Sequence, residues 1–201
     1  VRRDIAYRLA APFYDFAMAG LLQTARRESI AALELKPGEK LLIPGLGTGL
    51  DLPFLPGDID VLGGDLVPAM LAKANARRGL LGHSNVQLAT MDAQALPVPD
   101  ASFDAVLLHL IVAIAPDGHA VLAEACRILK AGGRIAVLDK FMPDDQADIP
   151  FWRRTAQFLV SPFTDINRRF GDLAAGLPVR IQSDHGVMLG RVFRRILLER
   201  E

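Results

Sequence analysis

The chain has 201 residues, 51% of them apolar, with 23 basic and 23 acidic side chains and a formal net charge of zero. That length suits one α/β domain with a full core, and the composition excludes a disordered, solvating chain. A neutral chain has no general field for drawing in nucleic acid, so nucleic acid is not an expected partner.

Residues 1–35 read as helical, with Ile5, Leu9, Phe13 and Phe16 at helical spacing and Pro12 as a kink or divide. Lys36-Pro37-Gly38 breaks the pattern. A short apolar strand, 40–44, then runs into the glycine-rich turn Gly45-Leu46-Gly47-Thr48-Gly49, and Pro53 and Pro56 keep any helix after it short. A strand at 59–65 and a helix at 68–77 come next, followed by strands at 85–90 and 103–110. The last of these is continuously apolar, as at the centre of a parallel sheet. A helix over 118–130 ends at Gly132-Gly133, a C-cap signal, and 134–139 is a fifth strand. Strand and helix thus alternate from 40 to 140, which predicts a doubly wound, Rossmann-like α/β sheet. Residues 149–175 read as helical with a break at Pro162, and strands at 179–183 and 192–198 could pair as an edge hairpin. The expected organisation is one domain: a helical lid (1–35), a cofactor-binding core (36–140) and an acceptor-side region (141–201).

The single cysteine, Cys126, excludes disulfides and cysteine metal clusters, and fits a reduced thiol in a cytoplasmic protein. The longest apolar run, 105–115, is interrupted by His109 and is too short to cross a bilayer. The arginine-rich start lacks the apolar core of a signal peptide. No His, Cys, Asp and Glu pattern has metal-ligand spacing, and no G-x-S-x-G elbow occurs. Arginine pairs at Arg153/Arg154, Arg168/Arg169 and Arg194/Arg195 read first as solvated surface. The other reading is contact with an anionic substrate or a membrane surface.

The glycine turn carries most of the functional signal. Glycines serve where a chain turns sharply and where a ligand approaches the backbone closely. A dinucleotide turn wants G-x-G-x-x-G, but the position of its third glycine is Leu50 here, and the third glycine is Gly49. The G-x-G-x-G form suits a cofactor without a pyrophosphate. Asp65 ends the second strand, twenty residues after Gly45, where a carboxylate can accept from both hydroxyls of a ribose; it could equally cap the helix beginning at Pro68. Asp92 follows the third strand, placed to accept from an adenine amine, with the Ala93 N–H free to donate to a ring nitrogen.

In chain order, 41–55, Gly64-Asp65-Leu66 through Met70-Leu71, Met91-Asp92-Ala93 through Leu96-Pro97, Phe103-Asp104-Ala105-Val106 and Leu129-Lys130-Ala131-Gly132-Gly133-Arg134 resemble the motifs of class I S-adenosylmethionine (SAM)-dependent methyltransferases. Within that class, Gly47-Thr48-Gly49-Leu50-Asp51-Leu52-Pro53 looks most like the bacterial quinone-biosynthesis and phosphatidylethanolamine N-methyltransferase branch. The resemblance implies a seven-stranded, mostly parallel sheet with an antiparallel last strand, SAM as cofactor and S-adenosylhomocysteine as product. It also implies that Gly45, Gly47, Thr48 and Gly49 approach the methionine half of SAM and that Asp65 holds the ribose. Leu66 and Met70 would flank the adenine, and Asp92 and Ala93 would read its edge. His109 would present backbone to the methionine part, and Tyr14, beside Asp15, would reach the cofactor carboxylate from the lid. One position departs from the family: the acid usual two residues before the first glycine is Ile43.

Methyl transfer needs a general base only where the acceptor must lose a proton. His109, at the end of the fourth strand, is the first candidate for a catalytic base. Asp139 and Lys140 come second and read as a surface pair; His83, His119 and His185 read as loop or surface residues. Phe13, Phe16, Phe141, Trp152, Phe158 and Phe163 offer an aromatic lining for a small, lipid-like or quinone-like acceptor, each with core packing as its alternative. Two other function classes stand beside this one. Ile43 would favour a non-catalytic SAM-fold module that binds a partner. A NAD-dependent oxidoreductase would use a similar sheet, and Leu50 argues against it.

Overall fold

The computed structural model describes residues 22–142, 168–188 and 192–201. Its elements are α1 (Gln23–Ala31), β1 (Lys40–Pro44), a 3₁₀ turn (Leu52–Phe54), β2 (Asp60–Asp65), α2 (Pro68–Leu81), β3 (Val86–Thr90), β4 (Phe103–His109), α3 (Gly118–Ile128), β5 (Leu129–Lys140), α4 (Phe170–Ala174), β6 (Val179–Met188) and β7 (Phe193–Arg200). The strands form one seven-stranded sheet in the order β3-β2-β1-β4-β5-β7-β6. β1 to β5 pair in parallel, and β7 runs antiparallel to both of its neighbours, β5 and β6. The predicted doubly wound sheet and antiparallel last strand are both present.

Side-chain alternation along the central strands divides the core between the two faces of the sheet. Leu42, Val106, Leu108, Ile135 and Val137 pack on one face with Val121, Leu122 and Ala125 of α3. Leu41, Ile43, Ala105, Leu107 and Ala136 pack on the other with Ile30, Leu33 and Ala74. Leu41, Leu42 and Ala105 to Leu108 are fully buried, which explains the unbroken apolar runs. Asp117 caps α3 by accepting from Ala120 N–H at 3.0 Å, a contact that contributes about 1 kcal/mol.

Several boundaries differ from the sequence pattern. α2 continues past residue 77 to Leu81, because an exposed helix tolerates Gly79, and it ends at Gly82 in the left-handed conformation. α3 stops at Ile128, ahead of the glycine pair. The pairing of β4 with β5 jumps from Phe103↔Leu129 to Ala105↔Arg134, so the Lys-Ala-Gly-Gly stretch swells out as an irregularity at the start of β5 and caps no helix. β6 is longer than expected and absorbs two irregularities. Of the helical reading over 149–175, 170–174 is helical and 149–167 lies outside the described residues. The lid reading over 1–21 lies outside them as well.

Cys126 is buried on α3, and burial pushes its thiol up to about 11, with Arg200 pulling weakly the other way. At pH 8 only about one molecule in a thousand carries the reactive thiolate. Iodoacetamide is therefore expected to leave the folded protein unmodified at pH 8 and to alkylate it in urea; rapid native alkylation, read by intact mass, would contradict this burial.

Candidate functional site

The chain runs outward from β1 to β2 and β3, then returns to β4 on the other side of β1. That reversal opens a crevice at the carboxyl ends of β1 and β4, the place where open α/β sheets bind ligands. The glycine turn leaves β1 there. Gly45, Gly47 and Gly49 have φ of 76°, 60° and 77°, a region that favours glycine. A Cβ on Gly45 would come within 2.8 Å of Ile111, and one on Gly49 within 2.8 Å of Leu52, whereas one on Gly47 would meet nothing within 4 Å. Gly47 is thus the point where the backbone faces open space. Thr48 is buried, and Arg77 of α2 donates to its carbonyl, which anchors the turn from behind.

Asp65 sits at the end of β2 and ties three strand ends together. Its Oδ2 accepts from Gly47 N–H at 3.0 Å, its Oδ1 accepts from Val67 N–H at 2.8 Å, and its carbonyl accepts from Met91 N–H at 3.3 Å. Burial raises its carboxyl above the ordinary value, and the two backbone donors offset part of that. Leu66 is largely exposed, while Met70 and Ala93 are buried. Asp92 is half-buried and accepts from both the backbone and the side-chain amide of Gln94. Gln94 in turn accepts from Asp117 N–H at 2.9 Å, so the loop after β3 is tied to the start of α3.

The described structure therefore brings the predicted residues of β1, β2 and β3 to one edge. Tyr14 lies outside the described residues. So do Phe13, Phe16, Trp152, Phe158 and Phe163 of the expected acceptor lining. Phe141 is fully buried and packs edge-to-face on Phe170, with centroids 5.2 Å apart, so it is core.

His109 differs from its expected role. Alternation along β4 turns its side chain to the same face as Ala105 and Leu107, toward α1. Its Nδ1 lies 2.7 Å from Asp51 Oδ1 and its Nε2 lies 2.9 Å from Ser29 Oγ. A carboxylate only accepts, so Nδ1 carries the hydrogen of that contact. Neither ring nitrogen is left over for a substrate proton. Asp51 also accepts from Arg26 Nη1 at 2.8 Å, and all four side chains are buried. Burial alone would raise the Asp51 carboxyl; the His109 ring and the Arg26 guanidinium outweigh it and hold the group well below the usual carboxylate range.

Asp139 and Lys140 are not a surface pair. Asp139 is fully buried and Lys140 nearly so. Asp139 accepts from Ala113 and Lys140 N–H groups, both at 2.8 Å, and fastens the loop after β4. Burial raises its carboxyl, against the pull of Lys140. Leu110, at the start of that loop, has φ 58°, a sparsely populated conformation for a branched side chain. The described arginine pairs are also more than surface. Arg168 donates to the carbonyls of Val112 and Pro116, and buried Arg194 pairs with Asp184.

A methyltransferase-domain family profile matches residues 42–137. The phosphatidylethanolamine N-methyltransferase of Cereibacter sphaeroides is 33% identical over 132 residues, covering 65% of this chain and 64% of that one. Residues 42–137 are thus similar to the methyltransferase-domain family, and the relatives that share them carry methyltransferase names. The ubiquinone/menaquinone biosynthesis C-methyltransferase UbiE of Stenotrophomonas maltophilia is 35% identical over 133 residues, covering 62% of this chain and 51% of that one. The chain thus spans less than two-thirds of the length of these curated relatives. Among solved structures, the YcgJ protein of Bacillus subtilis superposes with a TM-score of 0.74 at 17% identity, over 89% of this chain and 99% of that one. The geranyl diphosphate C-methyltransferase of Streptomyces coelicolor, solved with S-adenosyl-L-homocysteine, gives 0.74 at 16% identity, over 90% and 77%. These two likenesses concern the fold.

The chain's own residues fit the cofactor of that family. Gly47 offers the open approach, and Asp65 and Asp92 are acceptors at successive strand ends. Arg26, Ser29, Asp51 and Gln94 escaped the sequence reading. A signal existed for three of them: Asp51 lies two residues after Gly49, and Arg26 and Ser29 stand three apart, on one face of a helix. Among the described residues, no group of three or more His, Cys, Asp or Glu could hold a metal, and no helix is long and apolar enough to cross a membrane.

Proposed function

We propose that this protein transfers a methyl group from SAM to a small, apolar acceptor of lipid or quinone type. The observation that carries the proposal is the Asp65 carboxylate, held by Gly47 and Val67 N–H groups beside a turn that opens at Gly47. The named relatives, which include phosphatidylethanolamine and quinone methyltransferases, support the choice of acceptor class. Bound there, SAM supplies a methyl group on a sulfonium that carries its own leaving group.

The protein's task is then alignment and exclusion of water. Orientation alone can account for roughly 7–11 kcal/mol of barrier. In this reading Gly45, Gly47, Thr48 and Gly49 line the methionine half and Asp65 takes the ribose hydroxyls. Leu66 and Met70 flank the adenine, Asp92 and Ala93 meet its edge, and Tyr14 closes from the N-terminal side. His109 acts as a positioning residue, because its ring is engaged by Asp51 and Ser29. An amine acceptor would need no enzymic base beyond solvent. The reading goes with a cytoplasmic protein that meets a membrane only to collect its acceptor, and with no role for nucleic acid.

The test is turnover with labelled SAM against phosphatidylethanolamine, a demethylated quinol and small phenols. Label transfer to at least one is expected. Binding of S-adenosylhomocysteine with no transfer to any amine, phenol, quinol or lipid would favour a partner-binding module instead.

A further inference from the structure

Two polar atoms beside the glycine turn have no hydrogen-bond partner among the described residues, and one of them, Arg26 Nε, is fully buried. Asp51 Oδ1 accepts from both Arg26 and His109. Its other oxygen, Oδ2, has no hydrogen-bond partner among the described residues. Arg26 Nε is buried with no partner either. Leaving such groups unpaired is costly, and each instance in a folded protein calls for an explanation. A pair that served only to hold α1 on the sheet could have met these atoms with neighbouring backbone.

The pair also occupies a telling place. Asp51 follows Gly49 by two residues, and through His109 it is joined to the end of β4. Those are the two segments that bound the crevice. Ile43 supplies no carboxylate from β1; it is 1% exposed and packs among Leu41, Leu46 and Leu107. An α-amino acid carries an ammonium and a carboxylate a few ångströms apart. An Asp–Arg pair with one free acceptor and one free donor is its complement in both charge and hydrogen bonding.

Resting on the methyltransferase reading, we infer that Arg26 and Asp51 bind the amino-acid end of the cofactor. Asp51 Oδ2 accepts from the ammonium, and Arg26 donates to the carboxylate. His109 and Ser29 position Asp51 from behind. The pair thereby fills the place that Ile43 leaves empty, from the opposite flank of the glycine turn.

Calorimetric titration of the full chain with three probes tests this. S-Adenosylhomocysteine has both charged groups, S-adenosyl-3-thiopropylamine keeps only the ammonium, and 5′-methylthioadenosine has neither. Wild type is expected to bind S-adenosylhomocysteine at least about tenfold more tightly than methylthioadenosine. Asp51→Asn should remove about tenfold from the first two probes and leave methylthioadenosine unchanged. Arg26→Gln should weaken S-adenosylhomocysteine alone, and Arg26→Lys should restore part of the loss. Equal weakening of all three probes, or no change in any, would overturn the inference. Wild type binding methylthioadenosine as tightly as S-adenosylhomocysteine would overturn it while leaving the methyltransferase reading intact. Wild type binding none of the probes would bring down that reading, and this inference with it.

Discussion

Asp65→Ala is expected to weaken S-adenosylhomocysteine binding by about 100-fold or more at neutral pH. Hydrogen bonds to a charged group contribute roughly 1.5–3 kcal/mol each, and two such bonds to a ribose would exceed the approximately 2.7 kcal/mol that 100-fold represents. The substitution also frees Gly47 and Val67 N–H groups, so the turn loses the contact that holds it to the end of β2. Asp65→Asn separates the two effects, since it keeps the size and one acceptor oxygen; a loss nearer tenfold is expected. Acid should mimic the substitution. The Asp65 carboxyl is raised above 3.8, so affinity should fall as pH drops through that raised value and before an ordinary Asp would protonate. The stability sign is the reverse. The folded carboxyl holds its proton more tightly than the unfolded one, so Asp65 subtracts stability at neutral pH, and the subtraction vanishes toward pH 3.8. Wild-type affinity in the Ala variant would rule out a ribose contact at this position.

Asp51→Ala is expected to lower stability by about 3–5 kcal/mol, read as a shift of the urea midpoint at constant slope. That is the usual cost of stripping one partner from a buried ion pair, because the other charge stays behind uncompensated. Here the group left behind is Arg26, 6% exposed, and His109 Nδ1 loses its acceptor as well. The double variant Arg26→Met/Asp51→Leu should recover much of the loss, since apolar replacement of both partners is often near neutral. It should not recover cofactor affinity. The pH dependence has a definite sign. The folded Asp51 carboxyl lies below its unfolded value, so its contribution is complete above pH 3.8 and drains away as pH falls below it. A midpoint unmoved by Asp51→Ala would mean that the pair contributes nothing to the fold.

The sheet, the glycine turn and the acids at the next two strand ends were legible because each rests on local signals. Strands β1 and β4 announce themselves as unbroken apolar runs, since both of their faces are covered. Three glycines in five residues can only be a turn, and an Asp at the next strand end falls beside it through parallel pairing alone. The reading missed wherever a residue's environment came from a distant segment. Charge made Asp139 and Lys140 look exposed, yet the loop after β4 covers Asp139 and satisfies its oxygens through the backbone. Arg168 and Arg194 looked like surface and instead hold carbonyls and a carboxylate.

By itself, then, the sequence determined the α/β sheet, the glycine turn, and acidic side chains at the ends of β2 and β3. Periodicity and turn chemistry act within a few residues, and neighbouring strands in a doubly wound sheet inherit their positions from that. The tertiary structure alone decided what His109 does. Which face of β4 carries it, and which helix docks on that face, bring together Arg26, Ser29, Asp51 and His109 across separations of 25 to 80 residues. No local rule spans such distances. The buried charges beside the glycine turn come together only once α1 has closed over the sheet.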